Sequence, residues 1–336
     1  MTNTWPLVWS HGHGSVEAVG GMLGTVHFRL PDGRSIQPFA VFPWADEPLP
    51  PDQAALTGLM SRGRGEWPCV PFGHDLDPLD PSWNPPIHGE AAHGRWQRID
   101  DGEDDARLRL VYHCGPAGPV ASLERHLSGV TGQPAIDCRL IVRVRRHCTL
   151  PIGLHPTLRV PARPGALTVH PGPFSFGLTY PREVEPGADV LACGKSFTEL
   201  AAVPRQDGRT IDLTSFPLRE TTESLVQLCG IDGRVDVVNV DEAYCFSVRW
   251  NPALLPSCVL WISNAGRSAW PWSGRHYALG VEPVCAAFDL GVSVSANENA
   301  ISAGGIPTAL SLHPDFPLEI DYRLSVSAAD QQGNAP

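Results

Sequence analysis

The sequence has 336 residues, of which 42% are hydrophobic and 18% charged, so there is ample material for a core and little reason to expect extended disorder. The formal net charge is -11 and basic residues occur singly or in pairs such as Arg145 and Arg146, which disfavours nucleic acid as a partner because phosphate binding needs a clustered cationic face. No basic and apolar leader opens the chain and no run of 18 apolar residues occurs, so we expect a soluble cytoplasmic protein that does not associate with membranes.

Short β-strands are the predicted elements along the whole chain. The 33 glycines and 34 prolines divide it into short segments that leave little room for long helices. Between these breakers, segments with alternating or β-branched residues predict strands, in chain order, at residues 23–30, 106–114, 135–147, 165–172, 234–240, 243–250, 257–263, 276–284 and 318–327. Strands in succession with turn signals between them predict an all-β fold, a large antiparallel β-sandwich.

The remaining segments set the predicted domain organisation. Residues 44–86 are the least strand-like, and a loop of that length is typical of a binding segment or a lid. The one predicted helix is short, near residues 52–60, with Asp52 as its N-cap. We expect one domain over residues 1–326 and a disordered tail over residues 327–336.

The nine cysteines are odd in number and widely spaced, and they contain no C-x-x-C pair. This pattern predicts reduced, mostly buried thiols rather than a disulfide framework or a zinc ribbon.

Polar residues within rigid aromatic surroundings mark four stretches, at residues 62–73, 84–96, 151–161 and 277–286. Glu282 and His155 each stand at the end of an apolar strand, immediately before a proline. From the residues alone, Glu282 is either an exposed strand-end carboxylate or a buried base with a raised pKa. His155 is either a structural histidine or an acid-base group, and His88, followed by glycine, could simply shape a turn.

The order of these motifs resembles that of aldose 1-epimerases and the related hexose-6-phosphate mutarotases. An arginine loop ending in Pro-aromatic-Gly (residues 64–73) precedes His88-Gly89, which is followed by Trp96. His155-Pro156 and then a strand ending in Glu282-Pro283 complete the series across about 220 residues. The resemblance implies a galactose mutarotase-like supersandwich that binds a sugar in a pocket on one sheet.

The resemblance also implies an activity and its residues. Glu282 would remove the proton of the anomeric hydroxyl of a hexose, free or phosphorylated, and protonated His155 would donate one to the ring oxygen, with no metal and no cofactor. His88, Arg64 and Trp96 would bind the sugar. The family's hydroxyl-binding aspartate has no secure match here; Asp232 and Asp241 are the candidates, and Asp232 is the one we predict for it.

Three positions depart from the family pattern. Glu66 stands where the arginine loop usually has a second glycine, Ala92 where an arginine usually follows the HG motif, and Thr157 where an aromatic residue usually follows the HP motif. Loss of that guanidinium disfavours a sugar phosphate as substrate. These departures keep a second hypothesis open, a non-catalytic carbohydrate-binding protein with the same sandwich and pocket.

Two further enzyme classes are less well supported by the sequence. Thirteen histidines, including His11, His13 and His74, raise the question of a metal enzyme, but they are spread over the whole chain rather than spaced as ligands. A glycosidase would need two carboxylates flanking the bond, and only Glu282 has a convincing sequence context.

Overall fold

The computed structural model describes residues 4–48, 56–78, 80–100 and 102–329. Two large antiparallel sheets, one of nine strands and one of eight, dominate it. Residues of both sheets, such as Leu260 and Leu279 from one and Phe246 and Leu324 from the other, belong to one buried apolar cluster. The predicted all-β antiparallel sandwich is therefore confirmed.

The strands in this part of the chain are β1 (Thr4–Trp9), β2 (Gly12–Glu17), β3 (Leu23–Arg29), β4 (Ser35–Ile36), β5 (Pro68–Cys69), β6 (Gln97–Arg98), β7 (Arg107–His113), β8 (Val120–Gly129), β9 (Ala135–Val144), β10 (Cys148–Leu150), β11 (Ile152–Leu154), β12 (Thr157–Arg159), β13 (Leu167–Pro171), β14 (Phe176–Thr179), β15 (Ser196–Phe197), β16 (Val203–Pro204), β17 (Thr210–Ile211), β18 (Ser215–Phe216), β19 (Thr222–Cys229), β20 (Arg234–Asn239), β21 (Tyr244–Trp250), β22 (Ser257–Asn264), β23 (Tyr277–Cys285), β24 (Leu310–Leu312) and β25 (Leu318–Ala328). The helices described are short: α1 (Leu59–Arg62), α2 (Glu90–His93), α3 (Gly291–Ser295) and two 3₁₀ turns (Leu200–Ala202 and Ser302–Gly304). None of these helices has the length or apolar character needed to span a bilayer.

The nine-stranded sheet has the order β18-β13-β20-β21-β25-β9-β8-β7-β6. The eight-stranded sheet has the order β15-β14-β19-β22-β23-β11-β5, and β12 also pairs with β23. A four-stranded sheet (β1 to β4) and the pairs β10-β24 and β16-β17 complete the described strands.

Each of the nine strands predicted from the sequence coincides with an observed strand: β3, β7, β9, β13, β20, β21, β22, β23 and β25. Of the predicted helix at 52–60, residues 52–55, with the proposed cap Asp52, lie outside the described residues, and α1 begins only at Leu59, after Gly58. The predicted tail begins too early, because Ser327 and Ala328 still pair with β21; residues 330–336 lie outside the described residues.

Three neighbouring strands, β19, β22 and β23, are buried along both faces. One face, with Leu260 and Val281 as direct cross-strand partners, packs in the core between the two sheets. Because side chains alternate along a strand, the opposite face carries Leu225, Trp261 and Glu282. This second face is buried by loops rather than by another sheet, and the candidate site lies there.

A buried ionic network joins the arginine loop to the nine-stranded sheet. Glu66, fully buried, pairs with the equally buried Arg125 of β8, and its Oε1 accepts a hydrogen bond of 2.9 Å from the Tyr322 hydroxyl of β25. Arg125 also donates to the backbone carbonyl of Gly21. Glu66 is therefore a structural anchor for the loop that carries Trp67.

Candidate functional site

A cleft opens on the loop-covered face of the eight-stranded sheet. It encloses about 580 Å³, a volume that includes the open solvent at its mouth. Its lining mixes aromatic and apolar groups with a few polar ones: Phe42, Leu59, Met60, Trp67, Ile87, His88, His155, Leu225, Val259, Trp261, Arg267, Trp272, Glu282 and Asp289. Three of the residues predicted from the motifs, Glu282, His155 and His88, meet in this one cleft.

Strand pairing explains why Glu282 and His155 are neighbours. Strand β11 pairs with β23 as far as Val284, and β12 resumes the pairing at Gly280. The chain between β11 and β12, which contains His155, therefore leaves the ladder opposite Glu282. The Nε2 atom of His155 lies 3.3 Å from Oε1 of Glu282, and both residues are buried.

Gly280 gives the Glu282 side chain its space. The two residues lie on the same face of β23, two positions apart. A Cβ atom at position 280 would lie 2.3 Å from Oε1 of Glu282 and 2.9 Å from Cβ of Trp261. Only glycine therefore lets the carboxylate lie along the sheet toward His155.

Burial shifts both titrating groups toward their neutral forms. It raises the pKa of Glu282 well above its usual value, with a further contribution from the negative charge of Asp289. It lowers the pKa of His155 well below its usual value, with a further contribution from His88. Although Nε2 of His155 is close, Oε1 of Glu282 has no well-aligned hydrogen-bond donor among the described residues. The carboxyl group is thus buried, uncompensated and directed at an adjacent imidazole.

The imidazole of His155 is fixed on several sides. Its Nδ1 lies 3.0 Å from the hydroxyl of Thr157, and its backbone N–H donates to the carbonyl of Trp67 at 3.0 Å. The Trp67 ring stacks on it with centroids 4.1 Å apart and planes 19° apart. The ring of His88 approaches edge-on at a centroid distance of 5.0 Å. Nε2 is consequently the nitrogen that faces the cleft.

His88 lies in a strained turn and has a defined tautomer. Its φ of 62° is uncommon for a residue other than glycine, and the backbone N–H of Gly73 donates to its Nδ1 at 3.4 Å. Burial lowers the pKa of His88 to about 3, so the ring is neutral at pH 7. With Nδ1 accepting, the proton is on Nε2, which makes this atom a hydrogen-bond donor.

Two charged residues of the cleft were not predicted from the sequence. Arg267 comes from the loop between β22 and β23, and Asp289 follows the end of β23. Oδ1 of Asp289 is buried without a hydrogen-bond partner among the described residues. The adjacent backbone is held by Gln227, whose Oε1 accepts from the N–H of Phe288 at 2.7 Å. Neither loop carries a recognisable motif, and only the fold brings these residues to the cleft.

Arg64 does not line the cleft, contrary to the prediction. Its guanidinium lies 3.6 Å from the buried carboxylate of Glu17 and 3.3 Å from Asp46, and its Nε donates to the carbonyl of Arg62. With these contacts the side chain is not part of the cleft lining. The sequence could place the loop but not the direction of this side chain.

Trp96 and Asp232, also predicted to bind the sugar, do not line the cleft either. Trp96 is 1% exposed within the main core, where its indole N–H donates to the carbonyl of Ala91 at 2.9 Å. Asp232 is exposed in the turn between β19 and β20. The aspartate among the described residues that line the cleft is Asp289 instead.

The histidines considered as metal ligands do not converge. His13 stacks against His27 across β2 and β3 with centroids 4.9 Å apart, whereas the Nδ1 of His74 contacts the carbonyl of Pro85. Within the described ranges, no group of three or more His, Cys, Asp or Glu side chains is arranged to hold a metal ion.

Comparison with solved structures places the fold. A candidate aldose 1-epimerase from Escherichia coli K12 superposes with a TM-score of 0.64 at 15% identity, over 97% of this chain and 99% of the other. A galactose mutarotase-like protein from Lactobacillus casei gives 0.62 at 12% identity, over 96% and 99%. One from Clostridium acetobutylicum gives 0.61 at 13% identity, over 96% and 94%. No family model matches the sequence, and no curated protein matches it significantly.

Proposed function

We propose that this chain, which has the galactose mutarotase-like fold, is an aldose 1-epimerase that interconverts the α and β anomers of a hexose. The observation that carries the proposal is the meeting of Glu282 and His155, 3.3 Å apart, in one cleft lined by aromatic and polar side chains. Anomer exchange requires removal of a proton from the anomeric hydroxyl and delivery of one to the ring oxygen. Both oxygens are bonded to C1, so two adjacent groups can reach both at once.

The proposed steps use this pair alone. The Glu282 carboxylate accepts the proton of the O1 hydroxyl, and Nε2 of the His155 imidazolium donates its proton to the ring oxygen. The bond from C1 to the ring oxygen breaks as the C1 carbonyl forms. After rotation about the bond between C1 and C2, the hydroxyl group formed from the former ring oxygen attacks the other face of C1. Protonated Glu282 then returns a proton to O1, neutral His155 takes one from the ring hydroxyl, and the pair is restored.

The electrostatics of the pair favour ring opening. The pair holds one proton, and its two states are carboxylate with imidazolium or carboxylic acid with imidazole. Burial shifts both pKa values toward the second state, which is the state that accompanies the open-chain sugar. The stacked Trp67 ring stabilises the imidazolium of the first state, because a cation is attracted to an indole face.

Other cleft residues suit sugar binding. His88 would donate from Nε2 to a hydroxyl, and Asp289, with its unpartnered Oδ1, would accept from one. The rings of Trp67, Trp261 and Trp272 line the cleft and offer apolar faces to the C–H groups of a pyranose. The cleft thus combines an apolar floor with a few directed polar groups.

The test is the rate of anomer exchange of α-D-glucose and α-D-galactose, measured by NMR exchange or polarimetry and corrected for the spontaneous rate. General acid-base catalysis contributes roughly 10²- to 10⁴-fold, so Glu282→Gln and His155→Ala should each lower the catalysed rate by ~100-fold or more. His170→Ala, which removes an exposed histidine outside the cleft, is the matched control and should keep full activity.

Two results would count against the proposal. Full activity of either cleft variant would remove Glu282 or His155 from the mechanism. No acceleration with common aldoses, combined with saturable sugar binding that depends on the cleft, would favour the carbohydrate-binding protein instead.

A further inference from the structure

The cleft contains a buried charge pair that the proposed acid-base chemistry does not use. Arg267 is the one cationic side chain among the described residues that line it. Its Nε lies 3.4 Å from Oε1 of Glu223, and the carboxylate of Glu223 is fully buried. Burial of a charge is costly unless the charge is paired, so the buried carboxylate of Glu223 needs Arg267 as its partner.

Glu223 is firmly held as the partner of Arg267. Its Oε1 accepts from the indole N–H of Trp261 at 2.6 Å, and its Oε2 accepts from the hydroxyl of Ser263 at 3.0 Å. Trp261 and Ser263 lie on β22, and Glu223 lies on the neighbouring strand β19. The carboxylate is therefore fixed by the sheet itself and cannot move away when a ligand enters.

Aromatic rings fix the guanidinium of Arg267 from the other sides. Its central carbon lies 4.6 Å from the centroid of Trp272 and 5.6 Å from that of Trp261. Its side chain is 27% exposed and lines the cleft. The guanidinium is thus held beside the cleft with a carboxylate next to it.

The charges of the cleft then sum to a negative value. Glu223, Glu282 and Asp289 bring three carboxyl groups to the cleft, against the guanidinium of Arg267. Asp289 is close enough to Glu282 to raise the pKa of that residue. A phosphate group carries ~-1.5 to -2 charges at pH 7 and would be repelled by this arrangement.

We propose that the Glu223–Arg267 pair selects uncharged sugars against anionic ones, an inference that rests on the proposed function. Arg267 serves as a donor to ring hydroxyls and not as a phosphate or carboxylate receptor, because Glu223 already compensates its charge. Asp289 supplies the complementary acceptor. Specificity of this kind rests on rejection of the wrong ligand as much as on contacts with the right one.

The experiment compares kcat/KM for anomer exchange of glucose, glucose 6-phosphate and glucuronate in three proteins. Wild type should prefer glucose by about tenfold or more over both anions. Glu223→Gln, which keeps an acceptor for Trp261 but removes the charge, should raise the ratio of anion to glucose activity by about tenfold. Arg267→Gln should lower that ratio below the wild-type value. Glu220→Gln, which removes the charge from the partly buried pair with Arg205 outside the cleft, is the matched control and should leave the ratio unchanged.

The two proposals fail in different ways. A wild-type preference for either anion, or an unchanged ratio in Glu223→Gln, would overturn the charge selection while leaving anomer exchange intact. If no sugar is turned over, the proposed function fails, and the ratio of dissociation constants for glucose and glucose 6-phosphate in the same proteins tests the selection directly. Should Glu223→Gln not fold, Arg267→Gln carries the test, because its side chain is partly exposed; an unchanged ratio in that variant would overturn the selection.

Discussion

Thr157 offers the sharpest test of how the site controls His155. Its hydroxyl lies 3.0 Å from Nδ1 of His155 and 3.5 Å from the carbonyl oxygen of the same residue, and both side chains are buried. A hydroxyl can donate or accept. In the proposed cycle Nδ1 of His155 keeps its proton in both the neutral and the charged state, so the Thr157 hydroxyl accepts from Nδ1–H and donates to the carbonyl. Thr157 therefore serves as a positioning residue that satisfies Nδ1 in both protonation states.

Thr157→Val removes the hydroxyl at nearly constant shape. A hydrogen bond to a charged group contributes ~1.5–3 kcal/mol, and here no water takes its place if the site stays closed. Because 1.36 kcal/mol corresponds to a factor of ten, we expect kcat for anomer exchange to fall roughly 10- to 150-fold. KM should change little, since Thr157 does not line the cleft. The charged form loses more than the neutral form, so the apparent pKa assigned to His155 in the profile of kcat/KM against pH should fall.

Thr157→Ser is the matched control, because it keeps the hydroxyl and loses only a methyl group. It should retain most of the activity and the wild-type pH profile, and urea unfolding would establish that both variants are folded. A wild-type kcat in Thr157→Val would refute the reasoning, because it would show that the hydroxyl is not needed. Equal losses of activity in the valine and serine variants would also refute it, because they would show that the loss comes from packing.

Three further predictions follow from the described contacts. Gly280→Ala should lower anomer exchange at least ~10-fold without unfolding the protein, because a Cβ there would displace the carboxylate of Glu282; unchanged exchange kinetics would contradict this. Arg125→Met should destabilise the fold by ~3–5 kcal/mol in urea unfolding, and adding Glu66→Gln should recover much of the loss, whereas additive losses would argue against a coupled pair. The pKa of His88 falls from 6.5 to about 3 on folding, so the unfolded chain binds the extra proton between these values and stability decreases as the pH drops through that window. We expect a loss of ~2 kcal/mol by pH 5 relative to neutral pH, and His88→Gln should flatten this part of the profile; an equally steep profile in the variant would show that other groups cause it.

Hydrophobic alternation was sufficient to predict strands with one polar, solvent-facing side. Strand β25 is such a case, with Ile320 and Leu324 inside and Asp321 and Arg323 outside. Strand β19 was missed because both of its faces are buried, and one of them carries polar groups such as Glu223. Its sequence therefore shows neither the continuous apolar run of a fully buried strand nor the apolar-polar alternation of a half-exposed one.

The predicted residues that share the cleft lie on or beside strands with a fixed register. Glu282 and His155 meet because β11 and β12 both pair with β23. Arg64 was misplaced because a long side chain in a loop can turn to either side, and here Glu17 attracts it. Arg267 was missed because its loop has no pattern that connects it with the distant strand of Glu223.

The position of β25 has a consequence for how this protein is made. This strand, Leu318–Ala328, is inserted between β9 and β21 and so joins the two halves of the nine-stranded sheet. During synthesis, the edges of β9 and β21 that pair with β25 stay unpaired until residue 328 has left the ribosome. Pairings so distant in sequence form slowly, and exposed edges promote association with other chains. We expect nascent or truncated chains that end before Leu318 to depend on chaperones and to aggregate, even though they contain Glu282, His155 and His88.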